Sequence, residues 1–201
     1  FNFDFSSFKY FAGHSLGEYS ALVCAGSLKF DDSLYLLHER GKAMQKAVPI
    51  GKGAMAALIG TNIEMAVKVI DKVKCYGVCD IANDNSQGQV VISGDILAVE
   101  NVMKISKDFG IKKAILLPVS APFHCSLMKS AAMNMKDKIN SINFKKPIYD
   151  IVCNVTSKPE NNPDNIKKLL FEQICSTVRW RESIINMSNE NINNFIEIGP
   201  G

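Results

Sequence analysis

Gly13-His14-Ser15-Leu16-Gly17 is a GxSxG turn set between two regular patterns. Phe8 to Ala12 is short, aromatic and β-prone, and Glu18 to Cys24 reads as a helix that Gly26 ends. A strand that reverses into a helix within so few residues needs glycine on both sides of the serine, because a side chain there would strike the helix or the neighbouring strand. The turn lifts the Ser15 hydroxyl off the sheet edge. It also sets Ser15 at a helix N-terminus, where unpaired N–H groups face any oxygen that the serine attacks, and the N–H of Leu16 is the candidate oxyanion donor.

The remaining pattern is α/β. The 201 residues, 47% hydrophobic and 21% charged, fit one good-sized domain or two small ones. No run of eighteen apolar residues predicts a membrane span. A net charge of +3 with interspersed signs gives no basic face for nucleic acid. Six cysteines follow no framework, and Cys75 and Cys79 are one residue too far apart for CxxC, so free thiols in a reducing compartment and no metal site are expected.

Asp31, Asp32 and Ser33 offer caps for a helix from Leu34 to Val48, closed by Pro49 and the Gly51-Lys52-Gly53 hinge. Residues 53–117 then read β-α-β-β-α-β: strands at Ala54–Ile59, Val78–Ala82, Val90–Ser93 and Lys113–Leu117, helices at Asn62–Val73 and Asp95–Phe109, and a polar turn at Asn83–Gln89. About 65 residues in that order predict an inserted ferredoxin-like subdomain. A proline-bounded loop leads to His124, and Ser126 caps a helix to Ile139. A buried strand at Ile148–Asn154, helices at Asp164–Ile174 and Arg181–Met187, and a last strand at Phe195–Ile198, stopped by Gly199-Pro200-Gly201, complete the chain. Residues 1–52 and 118–201 would form the catalytic core. A strand at each end without covering elements predicts that both termini cut through a larger domain.

A serine needs a base. His38 lies about 100° from the centre of the stripe Leu34, Leu37, Gly41, Met44 and Val48, toward the surface, whereas His124 sits on a loop at a strand-to-helix transition, where a sheet-edge site collects its groups. His124 is the candidate base. Arg40 lies about 60° from the same stripe, on its core-facing flank. A guanidinium keeps its charge, so it must snorkel, pair with a structural acid, or hold an anionic substrate group.

Six blocks, in order across nearly the whole chain, resemble the malonyl-CoA:acyl carrier protein transacylases of fatty acid synthesis: Gly13 to Ala21, Glu39 to Gln45, Gly53 to Ala57, Val91 to Gly94, Pro118 to His124 and Glu197 to Gly201. The resemblance implies an α/β-hydrolase-like core with a parallel sheet and the ferredoxin-like insert. It implies Ser15 as acylated nucleophile, His124 as general base and acid, Arg40 as anchor of the malonyl carboxylate and Leu16 as backbone oxyanion donor. Met44 would line the acyl pocket, and Phe123 would favour malonyl over branched groups. The family holds its histidine by a backbone carbonyl near a Val-x-Trp block, which falls here on Arg179 of Val178-Arg179-Trp180. The family's glycine- and glutamine-rich strand-turn, source of a second oxyanion donor, would lie before Phe1.

The substrates implied are malonyl-CoA and the phosphopantetheine thiol of acyl carrier protein, with no other cofactor, no nucleic acid or membrane partner, and a monomer. The compartment implied is a reducing one, bacterial cytoplasm or an organelle such as a plastid or mitochondrion. Two other readings share the serine turn. A serine hydrolase or thioesterase would pass the acyl group to water, and a non-catalytic docking module for acyl carriers would never be acylated.

Overall fold

The computed structural model describes residues 7–199. Its elements run β1 Tyr10–Ala12, α1 Gly17–Cys24, α2 Phe30–Ala47, β2 Gly53–Thr61, α3 Ile63–Lys72, β3 Cys79–Ser86, β4 Gly88–Asp95, α4 Ile96–Ile105, β5 Lys113–Leu116, α5 Lys129–Ser141, β6 Asp150–Val152, β7 Pro159–Glu160, α6 Pro163–Gln173 and α7 Trp180–Asn189. The chain is α/β, with two sheets.

The smaller sheet has the order β1-β6-β7. It is mixed, not parallel as expected: β1 runs parallel to β6, and β7 folds back antiparallel on β6. Pro159–Glu160 had no strand pattern to announce it. Helices α1, α2, α5 and α6 supply most of the large core around this sheet, including Leu22, Leu36, Met135, Ile151 and Leu170, all fully enclosed. The other sheet has the order β3-β4-β2-β5, every neighbour antiparallel. The central strand β2 is buried on both faces. Ala54, Ala56 and Leu58 of β2 join α3 and α4 in one cluster, while Met55 and Ala57 turn to the other side with Val91.

Residues 177–178 lie alongside β3, with Asn83 and Val178 bridged in parallel. The Asp84 N–H donates to Val178 O at 2.9 Å, and the Val178 N–H to Ala82 O at 2.9 Å. Arg181 closes over this seam on the buried Asp84 carboxylate, at 2.9 and 3.0 Å from its Nε. The expected polar turn at 83–89 is therefore mostly ladder. Asn83 and Asp84 stay in β3 because the 177–178 segment and β4 pair with them, Asn85 falls in the bulge between Asp84 and Ser86, and the reversal is confined to Gln87.

Two further expectations change. α2 begins at Phe30, not Leu34, so Asp31 and Asp32 occupy its first turn, where their charge suits the helix N-terminus, and do not cap it. Its buried residues are Ser33, Leu36, Arg40, Ala43 and Met44, a stripe with Arg40 near its middle. Phe195–Ile198 forms no strand among the described residues. Phe195, Ile196 and Ile198 are exposed, and β1 stays an edge of its sheet, with no described strand to pair them. Pro200 and Gly201, the expected stop, lie outside the described residues. Among the described residues no helix is long and apolar enough to cross a membrane.

Gly13 shows how tightly the serine turn is built. A Cβ on it would lie 2.0 Å from the backbone C and O of Gly17 and 2.5 Å from the Glu18 nitrogen, all backbone that cannot step aside. Gly13→Ala is expected to destabilise the protein by about 3 kcal/mol or more. Urea unfolding followed by circular dichroism measures it, and a loss below about 1 kcal/mol would mean that the turn relaxes.

Candidate active site

Parallel pairing of β1 with β6 sets Ala12 beside Val152, so both strands end at the same edge. Ligand sites in α/β sheets form outside the carboxyl ends of strands. Two residues past β6, buried Asn154 meets the serine turn. Its Nδ2 donates to Gly13 O at 2.8 Å, and its Oδ1 accepts from the Ser15 N–H at 2.6 Å. Ser15 is held with φ +53°, a left-handed backbone that a non-glycine residue adopts only when its surroundings demand it. Leu16 follows as the residue before α1, and its N–H donates to no group among the described residues.

His124 reaches the same edge from the far side of the chain. Its loop is fixed by the Leu117 N–H on Met55 O at 2.9 Å, by the Ser126 N–H on Asp80 Oδ2 at 2.7 Å, and by Pro122 packed against Gly53, where a Cβ would stand 2.4 Å from the proline ring. His124 also has positive φ, +58°. The imidazole is 4% exposed, with Nε2 2.7 Å from Ser15 Oγ and Nδ1 2.9 Å from Gln173 O. A carbonyl only accepts, so Nδ1 carries the hydrogen and Nε2 is left to accept from the Ser15 hydroxyl. Burial, and then the neighbouring Arg40 charge, push the His124 pKa down to about 3, so the ring is neutral at physiological pH.

The third side chain is Arg40, 7% exposed, whose Nη2 donates to Ser15 Oγ at 3.1 Å and to Gln173 Oε1 at 3.0 Å. Burial pulls its pKa down, and the guanidinium still carries its charge at neutral pH. Ser15, His124 and Arg40, separated by 109 and 25 residues along the chain, thus converge on one oxygen atom.

The expected histidine support is corrected. Arg179 O accepts instead from the Ser183 N–H and hydroxyl, because Arg179 precedes α7 and its carbonyl starts that helix. The carbonyl on His124 is that of Gln173, the last residue of α6, where helix geometry leaves carbonyls without partners. Met44, 2% exposed, lies within the helical core, a turn beyond Arg40 on the same buried stripe. Phe123 is half-buried and packs against both the large core and the small cluster beside β2. His38 is exposed, as its helical angle predicts.

Sequence reasoning missed Glu18, Asn154 and Gln173. Gln173 has a signal: it completes the apolar stripe Ile166, Leu169, Leu170 of α6 at i+7, and a polar residue there is buried for a reason. Gln173 Nε2 donates to Glu18 Oε2 at 2.7 Å and to Ser15 O at 3.1 Å. Glu18 is 1% exposed and also accepts from the Asn154 N–H at 3.2 Å; its carboxyl pKa is raised, chiefly by burial.

A serine on a strand-turn-helix elbow, bonded to a buried neutral imidazole, is the arrangement of proteins that move acyl groups through a serine ester. The chain belongs to the acyl transferase domain family, whose model matches residues 9–201. It is 46% identical over 191 residues to the malonyl CoA-acyl carrier protein transacylase of Bacillus subtilis strain 168, covering 94% of this chain and 60% of that protein. The crystal structure of the acyl-carrier-protein-S-malonyltransferase from Bartonella henselae superposes with TM-score 0.96 at 45% identity, over 100% of this chain and 64% of that one. A malonyl-transacylase solved in complex with a type II PKS acyl-carrier protein gives TM-score 0.93 at 41% identity, over 96% of this chain and 62% of that one. The chain thus spans about 60% of the length of the curated relatives it matches.

Proposed function

We propose that the protein transfers a malonyl group from coenzyme A to the phosphopantetheine thiol of acyl carrier protein through a malonyl-serine. The observation that carries this is the convergence of an imidazole-bonded serine and a buried guanidinium on one oxygen. Similarity to malonyl transacylases, one of them solved with its carrier protein, supports it.

In the first half-reaction the Ser15 proton passes to His124 Nε2 as Oγ bonds to the thioester carbon. The C–S bond then breaks, and the coenzyme A sulfur leaves with the proton from His124. In the second, the carrier thiol gives its proton to His124 and its sulfur takes the malonyl group, while Ser15 Oγ regains the proton. The Leu16 N–H faces the oxyanion in both halves. Arg40 holds the distal carboxylate, which excludes acyl groups without one from the same hold on the site. Phe123, between the two packed clusters, would limit branching next to the thioester.

The finer architecture is read likewise: a hydrolase-like catalytic core from 1–52 and 118–201, with a ferredoxin-like subdomain at 53–117. The antiparallel order β3-β4-β2-β5 with α3 and α4 packed on one face supports it. A monomer in a reducing soluble compartment, using no cofactor beyond its substrates, completes the reading.

Intact-mass spectrometry after mixing with malonyl-CoA tests the reaction. One added malonyl group, discharged by carrier-protein thiol faster than by water, is expected. Discharge to water alone would make the protein a hydrolase, and no added mass would leave it a docking module.

The His124 environment fixes the pH dependence. The folded pKa of about 3 lies below the ordinary 6.5. Between these values the unfolded chain binds a proton that the folded site refuses, so stability falls as pH drops through that window. The base stays neutral throughout, and kcat/KM for malonyl-CoA is expected to stay flat from about pH 8 to about pH 5. An inflection near 6.5 in that profile would show an exposed, ordinary histidine.

A further inference from the structure

Gln173 meets the site twice, once through its backbone carbonyl on His124 and once through its side chain on Arg40. We infer that the Gln173 side chain, locked by the buried carboxylate of Glu18, is a positioning residue that sets the preference for carboxylate-bearing acyl groups by fixing the Arg40 guanidinium. This deepens the malonyl-transfer reading and rests on it.

The amide has one acceptable orientation. Its oxygen takes the Arg40 Nη2 hydrogen at 3.0 Å, and its nitrogen faces three acceptors, Glu18 Oε2 at 2.7 Å, Ser15 O at 3.1 Å and Asn154 Oδ1 at 3.5 Å. Turned over, the amide would set donor against donor at Arg40 and oxygen against three oxygens behind it. Glu18 Oε2 is the nearest of those acceptors, and the Asn154 N–H, two residues past β6, anchors it at 3.2 Å. Glu18 is in the first turn of α1, Asn154 follows β6 and Gln173 ends α6, so three elements fix one amide.

The consequence falls on Arg40. One guanidinium nitrogen is saturated by Ser15 and Gln173, whereas Nε and Nη1 donate to nothing among the described residues. Nε is sealed inside the protein, so Nη1 is the donor left for a substrate carboxylate. Without the Gln173 oxygen the guanidinium can rotate about its long stem, and the anion loses a preset partner. Gln173→Met keeps the backbone carbonyl on His124, the Asn154 Oδ1 on the Ser15 N–H and the Glu18 N–H on the Ser15 carbonyl, which loses only the bond from Gln173 Nε2.

The test is a competition of malonyl-CoA against acetyl-CoA for Ser15 in the protein, read by intact mass in a single turnover for wild type, Gln173→Met and Glu18→Gln. Methionine keeps the volume and the backbone carbonyl while removing the amide. Gln173→Met is expected to lower the malonyl-to-acetyl ratio on the order of tenfold. Glu18→Gln, which leaves a neutral acceptor behind the amide, is expected to lower it in the same direction by about threefold. A purely structural role would slow both acyl groups together and leave the ratio where it was. If Gln173→Met no longer reacts with a fluorophosphonate at Ser15, the Glu18→Gln ratio decides alone. Wild type that takes malonyl alongside variants with an unchanged ratio overturns this inference only; wild type that takes no malonyl overturns it together with the proposed function.

Discussion

Ser15→Ala is expected to abolish the malonyl-enzyme and to cut transfer by about 10⁴-fold or more. The substitution removes the one atom on which the imidazole and the guanidinium converge, at 2.7 and 3.1 Å, while the backbone that shapes the elbow is untouched. The Ser15 N–H still donates to Asn154 Oδ1, and Gly13 still makes room for Gly17. Loss of activity should therefore come without loss of fold, and circular dichroism of the variant should match wild type. Malonyl mass persisting on the Ser15→Ala protein would place the nucleophile elsewhere and undo the assignment of His124 as its base.

Arg40→Ala is expected to cost roughly 2 to 5 kcal/mol in kcat/KM for malonyl-CoA, a loss of at least about 30-fold, and much less for acetyl-CoA. The asymmetry is the informative part, since in the proposed reaction both thioesters would meet Ser15 and His124 and only one carries a carboxylate. Parallel rate measurements with the two thioesters check it, and equal losses would remove Arg40 as the anchor. Arg40→Lys should recover little, because an ammonium cannot reproduce a planar fork held between Ser15 Oγ and Gln173 Oε1. Arg40→Ala, unlike Arg40→Lys, also releases the imidazole from a neighbouring positive charge that holds its pKa down, so the acid limb of the Arg40→Ala profile should move to higher pH than in wild type.

Most of what the sequence made legible is local. The GxSxG turn and the helices expected at Asn62–Val73 and Asp164–Ile174 depend on a few neighbouring residues, and the structure has an elbow at Ser15 and helices at Ile63–Lys72 and Pro163–Gln173. Arg40 was visible as a charge on a core-facing flank, and a corrected stripe through Ser33, Leu36, Ala43 and Met44 puts it further inside than its helical angle gave. The site's support was not legible, because it is long-range. Nothing near position 173 says that its carbonyl meets a residue 49 positions away, and a Val-x-Trp block six residues further on drew attention to Arg179 instead. Strand ends failed for a related reason. Asn83 to Asn85 carry turn-forming side chains, but extended backbone wins where both edges of the strand find partners.

Gln173 ends α6, and the aligned peptide dipoles of that helix leave partial negative charge at its carbonyl end, which lies against the His124 ring. The resting ring is neutral and gains little from it. The proposed transfer would make the ring an imidazolium for an instant, beside the Arg40 cation, and only at that instant would the helix terminus pull with full effect. In that transfer the carbonyl end of α6 would favour the fleeting charged species over the resting one.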